Sequence, residues 1–570
     1  MSVWDDARLR LDGLPDGRGL NIAHEAVDRH VIRGHGDRLA LRFLRRDGSV
    51  GDLSYRDLGR DSSRFANGLD ALGICPGDVV ATLLERVPEL YVTAFGTLKA
   101  RAVLCTLYAA FGPEPVRVRL AKGRVKVLVT TAAQYARKVE PVRRELPDLT
   151  SVIIIDGDPP PGTAGWQQLM SAASDRWSIP ATSEDDPALI HFTSGTTGTP
   201  KAALHVHQAV VAHEATAVAV LALGPGDVFW CTADPGWVTG VSYGIVAPLV
   251  CGATGIVDEA GFEPERWYRI LAEQRVSVWY TAPTAIRMLI KAGDTLPRRH
   301  DLRALRVAAS VGEPLDAGAV LWGREALGQP FHDTWWQTET GAIMIANRPG
   351  EPIRPGAMGR PLAGVEAAVV TRHQDGEAVR IEPTEGSGEL ALRAGWPSMF
   401  RGYLGDDARY RAAFAGGFYL TGDLVRRDGD GWFWFVGRAD DVIKSAGRLI
   451  GPIEVESVLL QHPAVAEAGV IGLPDPTVGE MLKAFVTLKD GIAGDAALGR
   501  DILAHARRRL GPATAPREVV FRPALPKTRS GKIMRRLLKA RELGLPEGDL
   551  STLEDEPAAS SAPPEAKASS

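Results

Sequence analysis

Short runs of apolar, often β-branched residues alternate with longer amphipathic segments between about residues 40 and 345. The runs that carry this pattern are 78–84, 125–130, 151–155, 188–192, 276–280 and 306–310. Strands that alternate with helices form βαβ units, which build mainly parallel sheets covered by helices on both faces. The pattern therefore predicts an α/β fold whose large N-terminal domain contains doubly wound sheets.

The pattern changes from about residue 357 to residue 436, where short strand-like runs are separated by Gly and Asp turns. This change predicts a small antiparallel or barrel-like subdomain. After Gly437 a helix is predicted near 453–462 and strands near 468–471 and 483–487, which together indicate a smaller α/β unit. We therefore predict an N-terminal domain over 1–437, a mobile C-terminal domain over 438–545, and a disordered Ala-, Ser- and Pro-rich tail over 546–570.

Composition and charge narrow the functional classes. With 570 residues the chain is too long for a single core, and 45% hydrophobic and 24% charged residues are ordinary values for a globular protein. The formal net charge of −4 gives no electrostatic reason to expect binding to nucleic acid or to an acidic membrane. The 4 cysteines lack CxxC spacing, which disfavours zinc and disulfides, and no signal peptide or membrane-spanning run is visible. A reducing cytoplasm is the expected location.

A loop rich in hydroxyls and glycines follows the strand predicted at 188–192. It reads Thr193-Ser-Gly-Thr-Thr-Gly-Thr-Pro-Lys201. Glycines let backbone N–H groups approach an anion, hydroxyls donate hydrogen bonds and a lysine adds positive charge, so the loop is suited to polyphosphate. The candidate phosphate-binding residues are Thr193, Ser194, Gly195, Thr196, Thr197, Gly198 and Lys201. The spacing is not that of a Walker A motif, and on composition alone a mobile surface loop is the alternative.

Five further segments place polar groups where packing residues would be expected. They are Ser310-Val-Gly-Glu-Pro314, Asp333-Thr-Trp-Trp-Gln-Thr-Glu-Thr-Gly341, Tyr419-Leu-Thr-Gly-Asp423, Gly437-Arg-Ala-Asp-Asp-Val-Ile-Lys444 and Ser530-Gly-Lys532. In this order and at these separations, the six segments resemble those of the adenylate-forming acyl-CoA synthetases, and more narrowly those of acetate–CoA ligases. The resemblance covers roughly residues 40–540, and its most specific parts are 230–244, 335–340 and 525–536.

The resemblance implies ATP-dependent ligation of a short-chain carboxylic acid to CoA in two half-reactions. The carboxylate attacks the α-phosphate of ATP and releases pyrophosphate, and the CoA thiol then attacks the acyl-adenylate and releases AMP. By similarity Glu339 ligates Mg²⁺ and Thr338 contacts the α-phosphate, while Asp423 and Arg438 bind the ribose hydroxyls. The other residues implied in nucleotide binding are Gly312, Glu313, Pro314, Asp333, Thr334, Trp335 and Gln337.

Three residues of the C-terminal part are implied in catalysis and motion. Lys532 is expected to bridge the substrate carboxylate and the nucleotide in the first half-reaction only. Asp440 is expected to be the hinge about which the C-terminal domain swings, and the backbone at Gly447 is expected to lie along the CoA pantetheine. Because acetylation removes the charge of a lysine, Lys532 is also a candidate substrate for a lysine acetyltransferase and a deacetylase.

The acyl pocket is implied to be small. In acetate-type ligases a tryptophan closes this pocket, and the present chain has Trp336 there, with Val238, Thr239 and Val311 as the other wall residues. An indole in this place leaves room for acetate and makes propionate a poorer substrate, since one methylene is discriminated by about 1–3 kcal/mol. A medium-chain acyl-CoA ligase or a freestanding amino-acid adenylating domain is the alternative within the superfamily.

Two features stand outside the resemblance. Residues Gly240-Val-Ser-Tyr-Gly244 form a literal G-x-S-x-G sequence, so an α/β-hydrolase-type esterase is a competing class, although Pro235 and Gly236 break the strand that a nucleophile elbow needs. Leu449 stands where many family members carry an arginine, which leaves the role of the neighbouring Arg448 open. The intact set of charged site residues disfavours a binding module without catalytic activity.

Overall fold

The computed structural model describes residues 2–193, 200–372, 379–381, 385–439, 441–445, 448–489, 491–512, 514–528, 532–548, 550, 553 and 567–569. In this part of the chain the helices are α1 (Val3–Arg10), α2 (Arg29–Ile32), α3 (Tyr55–Ala71), α4 (Pro88–Lys99), α5 (Pro113–Lys122), α6 (Ala132–Gln134), α7 (Trp166–Ala172), α8 (Ala209–Ala219), α9 (Val238–Val241), α10 (Ala247–Val250), α11 (Pro264–Glu273), α12 (Pro283–Ala292), α13 (Ala317–Leu327), α14 (Asp407–Ala412), α15 (Pro452–Leu459), α16 (Ala496–Leu510) and α17 (Arg535–Leu543).

The strands follow in the same order along the chain. They are β1 (Leu39–Leu44), β2 (Val50–Ser54), β3 (Val79–Leu83), β4 (Val103–Thr106), β5 (Val125–Thr130), β6 (Ser151–Ile154), β7 (Ala164–Gly165), β8 (Pro187–Thr193), β9 (Lys201–Val206), β10 (Val228–Cys231), β11 (Thr254–Asp258), β12 (Val278–Thr281), β13 (Val307–Ser310), β14 (Phe331–Trp335), β15 (Ile345–Ala346), β16 (Arg360–Pro361), β17 (Ala367–Arg372), β18 (Val379–Ile381), β19 (Gly386–Arg393), β20 (Gly402–Tyr403), β21 (Phe414–Ala415), β22 (Phe418–Arg427), β23 (Phe433–Arg438), β24 (Ile443–Ser445), β25 (Arg448–Ile450), β26 (Val465–Asp475), β27 (Gly479–Leu488), β28 (Glu518–Phe521) and β29 (Lys567–Ser569).

The first of two compact units consists of residues 1–195, 200–366 and 393–414. Its two large sheets have the strand orders β16-β15-β14-β13-β12-β10-β11-β1-β2 and β20-β9-β8-β4-β3-β5-β6-β7. Pairing is parallel through the middle of both sheets, and antiparallel where β2, β15, β9 and β20 join their neighbours. The predicted α/β class with mainly parallel sheets is therefore confirmed.

Both faces of these sheets are buried, which explains why their strands are apolar at nearly every position. Successive residues of a strand point to opposite faces. In β12, Trp279 packs with Trp230 and Phe331 in one core cluster, whereas Tyr280 packs with Tyr243 in another. The strand predicted at 125–130 is β5 itself, and the other predicted strands coincide with β3, β6, β8, β12 and β13 to within two residues at either end.

The second compact unit consists of residues 196–199, 367–392 and 415–570. Its first sheet has the order β18-β17-β19-β22-β21, with β23 paired to β22, and the described pairs are antiparallel, as predicted. Its second sheet has the order β25-β24-β27-β28-β29, with β26 paired to β27. A core that includes Val455, Leu459, Val470 and Ile502 joins this sheet to α15 and α16, so the predicted smaller α/β unit is confirmed.

Two expectations about the C-terminal part stay predictions. The domain boundary at residue 437 is one of them. The disordered tail is the other: Lys567–Ser569 pairs with β28, and most other residues after 550 lie outside the described ones. Within the described chain, no helix combines the length and apolar character needed to span a bilayer.

Candidate active site

The predicted phosphate loop joins two antiparallel strands. Its flanking residues Thr193 and Lys201 lie opposite each other at the ends of β8 and β9. Residues Ser194, Gly195, Thr196, Thr197 and Gly198 lie outside the described residues. A strand–loop–strand connection differs from the strand–loop–helix connection of a P-loop, which agrees with the rejection of a Walker A motif.

A tight turn follows β14 and carries Thr338 and Glu339. The N–H groups of Thr340 and Gly341 both donate to the carbonyl of Gln337 at 3.1 Å. Gly341 has a φ of +72°, and a Cβ at this position would lie 2.5 Å from the carbonyl oxygen of Ser398, so a larger residue does not fit. The turn therefore holds Thr338 and Glu339 in fixed, nearly buried positions, with exposures of 8% and 9%.

Buried polar side chains form hydrogen bonds with the backbone carbonyls of this turn. The carbonyl of Thr340 accepts from Ser398 Oγ at 2.7 Å and from Trp396 Nε1 at 2.9 Å. A ring nitrogen of His213 lies 3.1 Å from the carbonyl of Gly341. Burial lowers the pKa of His213 to about 3 and that of His205 to about 4, so both imidazoles are neutral near pH 7. The sequence analysis did not single out His213 or Ser398.

The esterase alternative is contradicted at Ser242. This residue lies in a continuous helical segment formed by α9 and a π-helical turn over Ser242–Val246. It is 1% exposed, and its hydroxyl donates to the carbonyl of Gly341 at 3.3 Å. A nucleophile elbow needs a strand immediately before the serine, whereas β10 already ends at Cys231.

The carboxylate of Glu339 is held by a tyrosine that the sequence reasoning missed. Tyr403 Oη donates to Glu339 Oε1 at 2.7 Å, and the amide of Phe400 donates to the Glu339 carbonyl at 3.0 Å. Lys201 Nζ lies 5.3 Å from the centre of the Tyr403 ring. The structure thus places both the loop lysine and the predicted metal ligand next to one tyrosine.

The segment predicted to line the adenine site follows β13. Gly312 has a φ of +96°, and a Cβ there would lie 2.8 Å from the indole of Trp237. The Glu313 carboxylate accepts from Thr284 Oγ1 at 2.6 Å and pairs with Arg287. These two contacts hold the Glu313 side chain in place shortly after the end of β13, next to Pro314.

Asp333 and Thr334 form a buried network with Ser310. Ser310 Oγ donates to Asp333 Oδ1 at 2.7 Å, and Thr334 Oγ1 donates to the Ser310 carbonyl at 2.7 Å. Burial raises the pKa of Asp333 to about 7, although hydrogen bonds from Ser310, Leu315 and Thr334 lower it. The Asp333 carboxyl is therefore poised to change charge near neutral pH.

Replacing Asp333 with asparagine is expected to stabilise the protein more at about pH 8 than at about pH 5.5. The native state keeps a proton that the unfolded chain releases near pH 4, so the stability from Asp333 is complete below pH 4 and is lost as the pH rises through 7. Asparagine stays neutral and removes this cost, which is a few kcal/mol. Melting temperatures of both proteins at the two pH values test this, and equal differences would contradict it.

The two tryptophans after Thr334 have different surroundings. Trp335 ends β14 opposite Ile345 and is 8% exposed. Trp336 is half-buried; its Nε1 donates to Tyr280 Oη at 3.1 Å and its ring lies edge-on to Tyr243 at 5.2 Å. Val311 belongs to the same apolar cluster, and Val238 and Thr239 are buried at the start of α9. The indole of Trp336 is thus fixed in orientation.

In the second unit, Asp423 and Arg438 face each other across β22 and β23. Arg438 Nη1 donates to Asp423 Oδ1 at 2.7 Å, and Asp423 is 4% exposed. The strand register shifts by one residue between Leu424 and Val425, which is a β-bulge. The structure thus pairs the two residues that the resemblance assigns to the ribose.

Lys532 lies near this pair within the second unit. Its amide donates to Thr528 Oγ1 at 3.1 Å, and its carbonyl accepts from the Thr528 amide at 2.8 Å. Although Lys532 keeps contact with solvent, desolvation and then the positive charge of Arg438 lower its pKa, while Asp441 and Asp423 raise it. The predicted hinge Asp440 and the predicted CoA contact Gly447 lie outside the described residues.

Comparison with protein families supplies the classification. The family model described as AMP-binding enzyme matches residues 28–404, and the model described as AMP-binding enzyme C-terminal domain matches residues 454–532. The chain belongs to the AMP-binding enzyme family. The resemblance that rested on six sequence segments is therefore confirmed.

Relatives of this AMP-binding enzyme extend over nearly its full length. Acetyl-coenzyme A synthetase of Bacillus subtilis is 43% identical over 97% of this chain and 96% of that protein, and the Methanothrix thermoacetophila protein of the same name is 39% identical over 94% and 85%. The crystal structure of Brucella canis acyl-CoA synthetase matches with a TM-score of 0.73 at 36% identity, covering 95% and 97% of the two chains. An anthranilate CoA ligase in complex with anthranoyl-AMP matches with a TM-score of 0.84 at 28% identity over 92% and 98%.

Proposed function

We propose that this AMP-binding enzyme is an acetate–CoA ligase, which joins acetate to CoA through acetyl-AMP and releases AMP and pyrophosphate. Full-length similarity to acetyl-coenzyme A synthetases supports the reaction. One observation carries the choice of acid: the Trp336 indole is held by Tyr280 and Tyr243 beside Val311. A rigid indole at the wall of the acyl pocket leaves space for a very short chain.

The chain's own residues supply binding and orientation in the first half-reaction. Lys201 and the loop before it would hold the β- and γ-phosphates, and the hydroxyl of Thr338 would contact the α-phosphate. Asp423 would accept hydrogen bonds from the ribose hydroxyls, with Arg438 beside it. Lys532 would neutralise charge where the substrate carboxylate meets the α-phosphate. Attack of one anion on another needs such fixed positive groups, because preorganised electrostatics is usually the largest catalytic contribution.

The residues around Glu339 fit a magnesium ion. Mg²⁺ prefers oxygen ligands and is often bound by one or two carboxylates together with substrate phosphates. Glu339 offers a nearly buried carboxylate, and within the described residues only its Oε1 accepts a hydrogen bond, from Tyr403. Its other oxygen would hold the ion. When bound, Mg²⁺ neutralises phosphate charge and orients the leaving pyrophosphate.

A panel of straight-chain acids from two to eight carbons tests the proposed function directly. Exchange of labelled pyrophosphate into ATP reports the first half-reaction, and loss of the free CoA thiol as the thioester forms reports the second. We expect acetate to give the highest kcat/KM, with propionate lower by about 10- to 200-fold. Absence of exchange with every acid would contradict adenylate formation, and a maximum at six or eight carbons would favour the medium-chain alternative.

Replacing Trp336 with glycine is expected to shift the preferred acid to four or more carbons. Tyr280 and Tyr243 hold the indole at the wall of the proposed pocket. Its removal therefore opens this wall. Each added methylene can then gain about 1–3 kcal/mol of binding, so the preference between acetate and hexanoate should reverse. The kcat/KM values of both acids measure this. Trp336→Phe, which keeps an aromatic wall, is the control, and an unchanged chain-length preference in the glycine variant would contradict the pocket assignment.

A further inference from the structure

Tyr403 lies next to two predicted site residues, Glu339 and Lys201. It ends the short strand β20, which pairs with β9 so that Tyr403 lies opposite Ala203. Two backbone hydrogen bonds extend this pairing, from the Arg401 amide to the Leu204 carbonyl at 2.7 Å and from the Leu404 amide to the Ala202 carbonyl at 2.9 Å. Because β9 begins at Lys201, the pairing fixes Tyr403 relative to this lysine.

The side chain of Tyr403 contacts both charged groups of this region. Its hydroxyl donates to Glu339 Oε1 at 2.7 Å, and Lys201 Nζ lies 5.3 Å from its ring centre, within the range of a cation–π interaction. Tyr403 is 4% exposed and packs against Phe400, whose amide donates to the Glu339 carbonyl. The ring is therefore held by packing and is not free to move away from either partner.

The hydrogen bond from Tyr403 orients the carboxylate of Glu339. A hydrogen bond on Oε1 fixes the rotation of the carboxyl group, so Oε2 points in one direction. The outer partner of a metal-binding carboxylate commonly has this role, and its loss typically costs about 10- to 100-fold in metal affinity or activity.

We propose that Tyr403 is a positioning residue: its hydroxyl orients Glu339 toward Mg²⁺, and its ring holds Lys201 toward the phosphates of ATP. The proposal rests on the proposed function for the identity of the metal–nucleotide ligand. It assigns two separable roles to one side chain, since phenylalanine removes the hydroxyl alone and leucine removes the ring as well.

The test measures metal binding apart from turnover. Mn²⁺ is titrated by electron paramagnetic resonance into protein saturated with a non-hydrolysable ATP analogue. For Tyr403→Phe we expect the Mn²⁺ dissociation constant to rise about 10- to 100-fold, with little change in the KM for ATP. For Tyr403→Leu we expect the same rise and a further two- to fivefold increase in the KM for ATP, from loss of the ring under Lys201. Tyr410→Phe, in the same aromatic group with Phe400 and Phe414, is the matched control and should behave as wild type.

A double-mutant cycle with Glu339→Gln separates positioning from general loss of structure. If Tyr403 acts through Glu339, Tyr403→Phe should change the Mn²⁺ dissociation constant little once the carboxylate is gone. Unchanged Mn²⁺ binding in Tyr403→Phe, or an equal loss in both backgrounds, would overturn the proposal. Failure of the wild-type protein to exchange pyrophosphate with any acid would sink the proposed function instead, while the Mn²⁺ titration would still decide the role of Tyr403.

Discussion

Replacing Lys532 with alanine is expected to lower pyrophosphate exchange by at least about 100-fold while leaving thioester formation from supplied acetyl-AMP nearly unchanged. The lysine lies close enough to Asp423 and Arg438 for their charges to act on it, so its ammonium belongs to the same electrostatic environment as the proposed ribose pair. Once acetyl-AMP exists, no anion attacks the α-phosphate, and the charge of Lys532 is no longer needed.

Two assays on one preparation distinguish these steps. Exchange of pyrophosphate into ATP measures adenylation, and conversion of synthetic acetyl-AMP with CoA measures thioester formation. Lys527→Ala is the matched control, because Lys527 precedes the same turn but is paired with Glu467. An equal loss of both activities in Lys532→Ala would contradict a role restricted to the first half-reaction.

The charge of Lys532 also motivates two proposed partners. Acetylation would convert the ammonium into a neutral amide without changing the fold around Thr528. A lysine acetyltransferase and a deacetylase acting on Lys532 would therefore act on adenylation, the same half-reaction that the alanine variant is expected to lose. The exposure of Lys532 to solvent is compatible with such a modification.

Replacing Glu339 with glutamine is expected to reduce adenylation about 100- to 1,000-fold. The amide keeps the size of the carboxylate and can still accept from Tyr403, so the turn after β14 should remain folded. What is lost is the negative charge that would hold Mg²⁺, and with it the alignment of the leaving pyrophosphate. The turnover lost at ordinary magnesium concentrations should be partly restored when magnesium is raised.

Pyrophosphate exchange measured across a range of magnesium concentrations tests this expectation. Glu184→Gln provides a control, since Glu184 forms an exposed ion pair with Arg8 and such pairs contribute about 0–1 kcal/mol. Wild-type activity and magnesium dependence in Glu339→Gln would remove Glu339 from the metal site.

The sequence predicted the sheets well because strands that are buried on both faces are apolar at nearly every position. The run 125–130 is apolar or β-branched at nearly every position and coincides with β5. The ends of strands were less certain: the strand predicted from Val276 begins at Val278, where pairing with Phe229 of β10 starts. Pairing partners lie far away in the chain, so local composition cannot fix such ends.

The candidate site likewise contains residues that local sequence predicts and residues that it does not. Residues in contiguous segments, such as Thr338 and Glu339, could be predicted as site residues because the segment itself is distinctive. Tyr403 and His213 were missed because their roles depend on contacts across 64 and 128 positions of the chain, to Glu339 and Gly341 respectively. The Arg-Gly-Tyr sequence at 401–403 carried no signal until β20 was seen to pair with β9.

The bulge between β22 and β23 decides which residue meets Asp423. Beyond the bulge Val425 lies opposite Phe435, a register that, continued without interruption, would place Gly437 opposite Asp423. The extra residue moves Arg438 into that place instead. If the two strands kept the register of Val425 and Phe435 throughout, Arg438 would lie one position beyond Asp423, and since side chains alternate along a strand its guanidinium would lie on the other face of the sheet. The turn between these strands could therefore change in length without moving Arg438, whereas a change of register at the bulge would separate the guanidinium from the Asp423 carboxylate.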